Sequence, residues 1–168
     1  MKTTLSIVIM VVLACTTLLT TACSSEASLT RGYWSKASPI VENHIEKGSR
    51  PFAEVWVEAI PAIQSGDNVA YEKFFLAVRE YYPYVGEAIL ELTELNPPTN
   101  ATAKWQLLQL EAWSLRTEAL YMYMNCWDYN SGNLIGTDKD LIAADEKLWE
   151  SQAVSKEADK LLEEMLRK

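Results

Sequence analysis

The one histidine of the chain, His44, is the first residue to test for metal or cofactor chemistry. Helical bundles that hold two iron ions use facing carboxylates and a Glu-x-x-His motif on each of two helices. The glutamates nearest to His44 are Glu42 and Glu46, and their spacing places them on other faces of a helix. The Cys-x-x-Cys-His motif that attaches haem is absent from the sequence. We therefore expect no metal and no cofactor, and we expect His44 to be an exposed residue on a helix surface.

Cys126 is the candidate for a nucleophile. It lies in a segment whose apolar residues have helical spacing, and burial among them would raise the pKa of the thiol and make it unreactive. The sequence contains no Gly-x-Ser-x-Gly motif, which would expose a nucleophilic serine at a tight turn. The sequence thus predicts a buried, structural Cys126 and a protein that is not an enzyme.

Pairs of glutamates at helical spacing are the remaining candidates for acid–base chemistry. The pairs are Glu54 with Glu58, Glu87 with Glu91, and Glu111 with Glu118. Such residues usually form a solvated helix face. Glu111 and Glu118 differ because they share a face of a strongly apolar segment, where a carboxylate is costly unless it is paired. Arg116 and Arg79 are candidate partners of these two carboxylates.

The N-terminal segment has the properties of an export signal. Lys2 precedes an almost unbroken apolar run over residues 5–19, and small residues follow as far as Cys23. The stretch Leu19-Thr20-Thr21-Ala22-Cys23 resembles the signal of bacterial lipoproteins, in which a peptidase cleaves before a cysteine that carries the lipid. The resemblance implies that residues 1–22 are a signal peptide and that Cys23 is the lipid attachment site.

Alternatives to acylation of Cys23 remain open. Cys15 follows Val12-Leu13-Ala14, which has the apolar residue that lipoprotein signals favour three positions before the cysteine. Cleavage there would leave an apolar segment of only about ten residues, so we prefer Cys23. Ordinary secretion, or an uncleaved membrane anchor through the same run, are further interpretations. On the preferred interpretation, residues 23–32 form the lipidated N-terminus and a flexible tether, and residues 33–168 form a helical domain.

An acylated Cys23 would tether the domain to a membrane without embedding it, since two or more acyl chains anchor a protein stably. The expected location is therefore the extracytoplasmic side of the bacterial cell envelope. Ser24 follows the cysteine where an Asp would resemble a signal for retention at the inner membrane, so the outer membrane is favoured in an organism that has one. Cys126 would then be the one remaining thiol, and no intramolecular disulfide could form.

The charge of the chain argues against nucleic acid as a partner. It carries 15 lysines and arginines against 23 aspartates and glutamates, for a formal net charge of −8. Such a surface repels phosphate backbones, and the sequence has no basic cluster that could serve as a footprint.

Large aromatic residues are abundant, with six tryptophans and eight tyrosines. Such rings can line a ligand cleft or fill a core, and the second interpretation is favoured because most of them fall on helical seams. Tyr81, Tyr84, Tyr121 and Tyr123 fall outside the seams. Together with Glu111 and Glu118, these four tyrosines are the predicted candidates for a ligand or partner surface.

Helical periodicity defines the segments of the domain after residue 68. A helix is expected over residues 68–95, with a kink or short interruption at Pro83, and Asn96-Pro97-Pro98 separates it from the next helix. That next segment begins with Thr99 or Asn100 as its cap, and it is apolar on several faces, so it should be central and contact neighbours on two sides. The last helix begins at Thr137-Asp138-Lys139-Asp140, which resembles a capping box, and should lie half exposed.

The region between residues 34 and 64 has two interpretations. One is a short helix over 39–47 followed by a helix over 51–64, with each proline in a first turn. The other is one long, kinked helix. Either way, the sequence predicts an all-α fold, an antiparallel up-and-down bundle of about four long helices after the signal peptide and linker.

The preferred function is a membrane-tethered binding or protein-interaction module for an unidentified protein or small-molecule ligand. One alternative is a hydrolase or transferase that modifies envelope material through acidic residues. Another is a structural or assembly protein of the cell envelope, with an exposed apolar strip as its partner surface. The domain loosely resembles small helical bacterial lipoproteins, through its bundle pattern and Leu92-x-x-Leu95-Asn96-Pro97-Pro98, and this resemblance transfers no active site.

Overall fold

The computed structural model describes residues 25–64 and 68–167, and this part of the chain is an all-α helical bundle, as expected. The helices are α1 (Glu26–His44), α2 (Arg50–Gln64), α3 (Asn68–Thr93), α4 (Asn100–Met124) and α5 (Asp138–Leu166). A π-helical segment, Ile45–Ser49, joins α1 to α2. Helix α2 packs against α3, α3 against α4, and α4 against α5. Helix α1 packs against α3 and α5. Cys15 and Cys23 lie outside the described residues.

The first helical region is one continuous helical stretch with a π-helical segment near its middle. Gly48 and Ser49, which fall between the two helices of the first interpretation, lie in that segment, whereas Pro39 lies inside α1. The helix also begins earlier than expected. Ser25 caps it by accepting a hydrogen bond from the Ser28 amide, and Thr30 is buried. Residues 26–32 are therefore helical, so the expectation that the flexible tether extends to residue 32 is wrong.

Helix α3 runs through Pro83 without the expected interruption. A proline removes one backbone hydrogen bond, and here the neighbouring turns are held by buried residues on both sides of it, including Val78 and Val85. The helix ends at Thr93, before the two prolines. Gln106 of α4 satisfies carbonyl groups there, since its Nε2 donates to the Leu92 and Leu95 oxygens at 2.5 and 2.9 Å.

Helices α4 and α5 form the closest pair of the bundle. The residues that face each other are small and fully buried: Ala112, Ala119, Ala144, Ser151 and Ala158. Because these side chains are short, the Ser151 hydroxyl reaches the Ala112 carbonyl oxygen at 2.8 Å. Helix α4 contacts α3 on its other side, so it occupies the central position that its apolar faces predict.

Capping boxes start both helices, whereas the sequence indicated a box only for α5 and a single cap, Thr99 or Asn100, for α4. Thr99 and Thr102 cap α4 reciprocally, and Thr137 and Asp140 do the same for α5. Each box satisfies backbone N–H groups that have no partner within the helix.

The connection between α4 and α5 contains a small hairpin where the sequence indicated only a turn. Strand β1 (Trp127–Asp128) pairs antiparallel with β2 (Asn133–Leu134). Gly136 follows at a point where a Cβ atom would lie 2.5 Å from the Cys126 Sγ, so only glycine fits. Cys126 is buried, as predicted, and burial raises the pKa of its thiol.

Within the described residues, none of the helices has the length and apolar character needed to cross a membrane.

A candidate ligand cleft beside a buried histidine

Three polar side chains from three parts of the bundle meet in its interior. His44 ends α1, Tyr81 lies in the middle of α3, and Arg116 lies in α4. His44 and Tyr81 are each only 3% exposed, and Arg116 is half-buried. The expectation that His44 is a surface residue is therefore wrong, and Tyr81 is equally not a surface tyrosine. Neither error could be avoided from local spacing, because Tyr81 and Arg116 lie 37 and 72 residues from His44.

The hydrogen bonds among these residues have a defined direction. Arg116 can only donate, so its Nη1 donates to the Tyr81 hydroxyl oxygen at 3.2 Å. Arg116 Nη1 also lies 3.5 Å from His44 Nε2, and a donor forms a hydrogen bond with that nitrogen only when it is unprotonated. We therefore assign the tautomer with the proton on Nδ1, in which the Tyr81 hydroxyl donates to Nε2 at 3.1 Å. Nδ1 is buried and has no partner at hydrogen-bond geometry.

The protonation states follow from burial and from the charge of Arg116. Burial lowers the pKa of His44 to about 4, and the nearby Arg116 lowers it in the same direction, against a smaller opposing effect of the Tyr84 backbone. Burial raises the pKa of Tyr81, while Arg116 opposes that shift. At neutral pH the cluster consists of a neutral imidazole, a neutral phenol and one guanidinium cation.

Packing around the π-helical segment fixes Tyr81 in place. Gly48 brings the backbone so close that an added Cβ would lie 2.7 Å from the Tyr81 Cε2. Two other rings contact Tyr81. The Phe52 ring stacks with it at a centroid distance of 5.0 Å, and the centroid of the His44 ring lies 5.6 Å from that of Tyr81. The His44 ring in turn lies 4.8 Å from that of Trp113. The π-helical turn thus places both His44 and Phe52 in contact with the Tyr81 ring. Such turns are often found at functional sites.

An open cleft of about 430 Å³ lies on the solvent side of this cluster. Its size is within the range of small-molecule sites. Helices α2, α3, α4 and α5 and the π-helical segment contribute its lining, which is mostly apolar: Ser49, Phe52, Ala53, Trp56, Val57, Tyr81, Arg116, Leu148, Trp149 and Gln152. Among these described lining residues Arg116 is the one charged group. Val57 and Trp149 remain 72% and 63% exposed, so apolar surface on the wall of the cleft is open to a ligand.

Arg116 has no carboxylate partner among the described residues. Five other cationic side chains do form ion pairs there, each with one or more glutamates: Arg50, Lys73, Lys104, Lys147 and Arg167. Glu118, for which Arg116 was a candidate partner, instead pairs with Lys147 at 3.5 Å, and both side chains are exposed. Arg79 lies over the Tyr129 ring at 4.9 Å, and Glu111 is exposed. The candidate pairing of Arg116 and Arg79 with the two glutamates is therefore wrong.

The other predicted tyrosines do not form a common surface. Tyr123 is only 2% exposed, and its hydroxyl donates to Asp145, so the prediction of a surface role for Tyr123 is wrong. Tyr121 is 55% exposed, as its position outside the seam indicates. Tyr84 is half-buried and lines a different cleft of about 400 Å³. Tyr81 was among the tyrosines that the sequence pattern singled out, whereas neither His44 nor Arg116 was predicted to belong to a ligand site. The one signal for Arg116 in the sequence was a cation beside the apolar seam of α4.

Two further clefts have mixed charges on their walls. The cleft that Tyr84 lines also includes Lys47, Glu80 and Glu87. A third, of about 430 Å³ near the start of α1, is lined by Lys36 and Glu94 among others. Carboxylates on the walls of both clefts would oppose a bound anion, whereas in the cleft beside Arg116 a cation is the one charged group among the described lining residues.

Comparisons with known proteins found no match to the chain among protein-family models, curated proteins or solved structures. In the described part of the chain, no group of three or more His, Cys, Asp and Glu side chains is placed to hold a metal ion.

Proposed function

We propose that the protein is a binding module, held on the extracytoplasmic side of a bacterial membrane by a lipid on Cys23, with the cleft beside Arg116 as its ligand site. One observation carries the choice of site. Arg116 is half-buried, lines an otherwise apolar cleft and has no carboxylate partner among the described residues. Small-molecule sites commonly combine apolar walls with a few convergent polar groups in this way.

The groups that line the cleft are suited to holding a ligand rather than to transferring protons. A guanidinium stays protonated at all ordinary pH values, so Arg116 cannot act as a base. Burial raises the pKa of Tyr81, and its hydroxyl proton is directed to His44. The neutral His44 lies behind Tyr81 and is not itself among the residues that line the cleft. These properties favour binding over the alternative of an envelope-modifying enzyme.

The proposal is tested by blocking the cleft. Ala53 is exposed and lines the cleft, so Ala53→Trp should fill the space between its walls. The probe is 2-naphthamide, an uncharged aromatic compound, titrated into the protein in lipid nanodiscs and followed by calorimetry with empty nanodiscs as background. We expect saturable binding to the unmodified protein and its loss in Ala53→Trp.

Ala153→Trp is the matched control, since Ala153 is an exposed residue of α5 outside the cleft. It should bind 2-naphthamide as the unmodified protein does. Equal binding by Ala53→Trp and Ala153→Trp would place the probe elsewhere and contradict the assignment of the cleft.

A further inference from the structure

We infer that the ligand of the cleft is a small organic anion, with a carboxylate or phosphate group bound by Arg116 and an apolar body packed between the aromatic walls. This inference rests on the proposed function, because it specifies the chemistry of the molecule that the cleft binds.

The first argument is the unused hydrogen-bonding capacity of Arg116. A guanidinium carries five N–H donors in a planar fork that matches the two oxygens of a carboxylate or phosphate. Nη1 is used by Tyr81, with His44 Nε2 at 3.5 Å, and the remaining donors have no acceptor among the described residues. Arg31 and Arg79 also have no ion pair among the described residues, but both are exposed to water, whereas Arg116 is half-buried beside the apolar walls of the cleft.

The second argument is that the cluster behind Arg116 orients it without neutralising it. The Tyr81 oxygen accepts a hydrogen bond from Nη1, and the Tyr81 hydroxyl donates one to His44. Burial keeps both the phenol and the imidazole uncharged at neutral pH. A carboxylate in the place of Tyr81 would have cancelled the positive charge. The phenol instead fixes the guanidinium while leaving its charge for a ligand, in a half-buried site where a charge-assisted hydrogen bond is stronger than in water.

The third argument concerns the apolar part of the ligand. Trp56 and Trp149 line the same cleft as Arg116, and Trp149 is 63% exposed. Exposed aromatic surface next to a cation is suited to a molecule with an apolar body and a charged head, since each part then removes matching surface from water. A fully hydrated anion such as inorganic phosphate would leave these walls uncovered.

The experiment compares three probes that share one aromatic body: 2-naphthoate, 2-naphthyl phosphate and the uncharged 2-naphthamide. Each is titrated into the protein in lipid nanodiscs by calorimetry. Hydrogen bonds to a charged group typically strengthen binding by a factor of roughly 10 to 100. We therefore expect at least one anionic probe to bind about 10- to 100-fold more tightly than 2-naphthamide. Preference for 2-naphthoate indicates a carboxylic acid as the ligand, and preference for 2-naphthyl phosphate indicates a phosphate ester.

Variants of Arg116 connect this preference to the cleft. Arg116→Gln should reduce the affinity for the anionic probes to that for 2-naphthamide, and Arg116→Lys should retain part of the preference because it keeps the charge but not the planar fork. Arg79→Gln is the control, since it removes the same charge from a residue that lies over Tyr129, outside the cleft. Thermal unfolding followed by circular dichroism establishes that each variant is folded.

Three results would overturn the inference. The first is equal affinity of the unmodified protein for all three probes. The second is a loss of affinity for the anionic probes in Arg79→Gln as large as that in Arg116→Gln. Either result would mean that the cleft does not select anions through Arg116, although the proposed binding function stands. If no probe binds at all, the proposed function and the inference fall together.

Discussion

His44 illustrates how a single residue acquires its properties from distant parts of the chain. Local spacing indicated a solvated histidine, but contacts with Tyr81 and Trp113 bury it. Its imidazole accepts a hydrogen bond from Tyr81 only while Nε2 is unprotonated. Protonation would therefore break this bond and place a second positive charge beside Arg116.

The stability of the protein should depend on pH through His44. Its pKa is about 4 in the folded chain against 6.5 for the unperturbed side chain, so the unfolded chain takes up the proton first as the pH falls. The contribution of the neutral His44 ring to the stability of the folded protein is complete above about pH 6.5 and is lost as the pH falls towards 4. At 1.36 kcal/mol per pKa unit, the free energy of unfolding should drop by roughly 3 kcal/mol over that range. Urea unfolding at a series of pH values measures this decrease in the free energy of unfolding.

His44→Gln is the control for this pH dependence, because glutamine keeps a hydrogen-bond acceptor without titrating. The variant should lose the slope between about pH 6.5 and 5, where most carboxylates remain ionised. An identical slope in the variant and the unmodified protein would show that His44 is not the group responsible.

Gly48 should be intolerant of a side chain because of its distance to Tyr81. An added Cβ would lie 2.7 Å from the Tyr81 Cε2 and 2.9 Å from the Cδ2, and Phe52 stacks with that ring, which limits its movement. We expect Gly48→Ala to lower the free energy of unfolding by about 1–3 kcal/mol, the usual cost of overpacking. Chemical denaturation measures the change.

Gly86 provides the matched substitution, since nothing lies within 4 Å of the Cβ that would be added there. In the middle of α3, Gly86→Ala should raise the stability by about 0.5–1 kcal/mol through helix propensity alone. Stabilisation by Gly48→Ala of the same size would mean that the π-helical segment can move away from Tyr81.

At the scale of elements, the bundle depends most on the close contact of α4 with α5. Small residues on both helices allow the Ser151 hydroxyl to bond to the Ala112 carbonyl. Ala112→Leu would insert a larger side chain where the neighbouring atoms are fully buried. We expect a loss of about 1–3 kcal/mol in the free energy of unfolding and a lower melting temperature.

Ala153→Leu tests whether that loss comes from the interface, because Ala153 lies on the exposed face of α5. It should change the stability by less than about 0.5 kcal/mol. Equal effects of the two leucine substitutions would argue against the close packing of α4 and α5.

The elements differ in how far the sequence predicts them. The starts of α4 and α5 were predictable because a capping residue and a capping box are local patterns, and the buried faces of both helices follow from helical periodicity. The start of α1 was not, since serine, threonine and glycine near residues 28–35 are weak helix formers. Burial of Thr30, Tyr33 and Ala37 against the rest of the bundle stabilises the helix there.

The candidate site was predictable only in part, for a related reason. Tyr81 was identified because it lies outside a regular seam, and yet the structure buries it. Arg116 appeared in the sequence only as a partner for glutamates, because the direction of its side chain depends on how α3 and α4 pack. Contacts between residues far apart in the chain have no local signature, so the cleft could not be located in advance.

At the scale of the whole molecule, the lipid on Cys23 is the prediction with the widest consequence. Cys23→Ala should abolish acylation and either release the protein from membranes or block its processing. Intact-mass measurement and membrane fractionation of the expressed protein test this. Cys15→Ala is the matched control and should leave the mature mass and the membrane association unchanged. An unacylated mature chain that begins elsewhere would contradict the proposal.

The early start of α1 limits how far the bundle can be from its proposed anchor. Only Ser24 and Ser25 separate Cys23 from the first helical residue, Glu26. Since an extended residue spans at most about 3.6 Å, the helix begins within roughly 11 Å of Cys23. At a rise of about 1.5 Å per residue, the 19 residues of α1 place His44 about 27 Å from Glu26 along the helix axis. An anchored protein of this kind would search for its ligand only in the thin layer next to the lipid surface, so molecules that concentrate there would reach the cleft first.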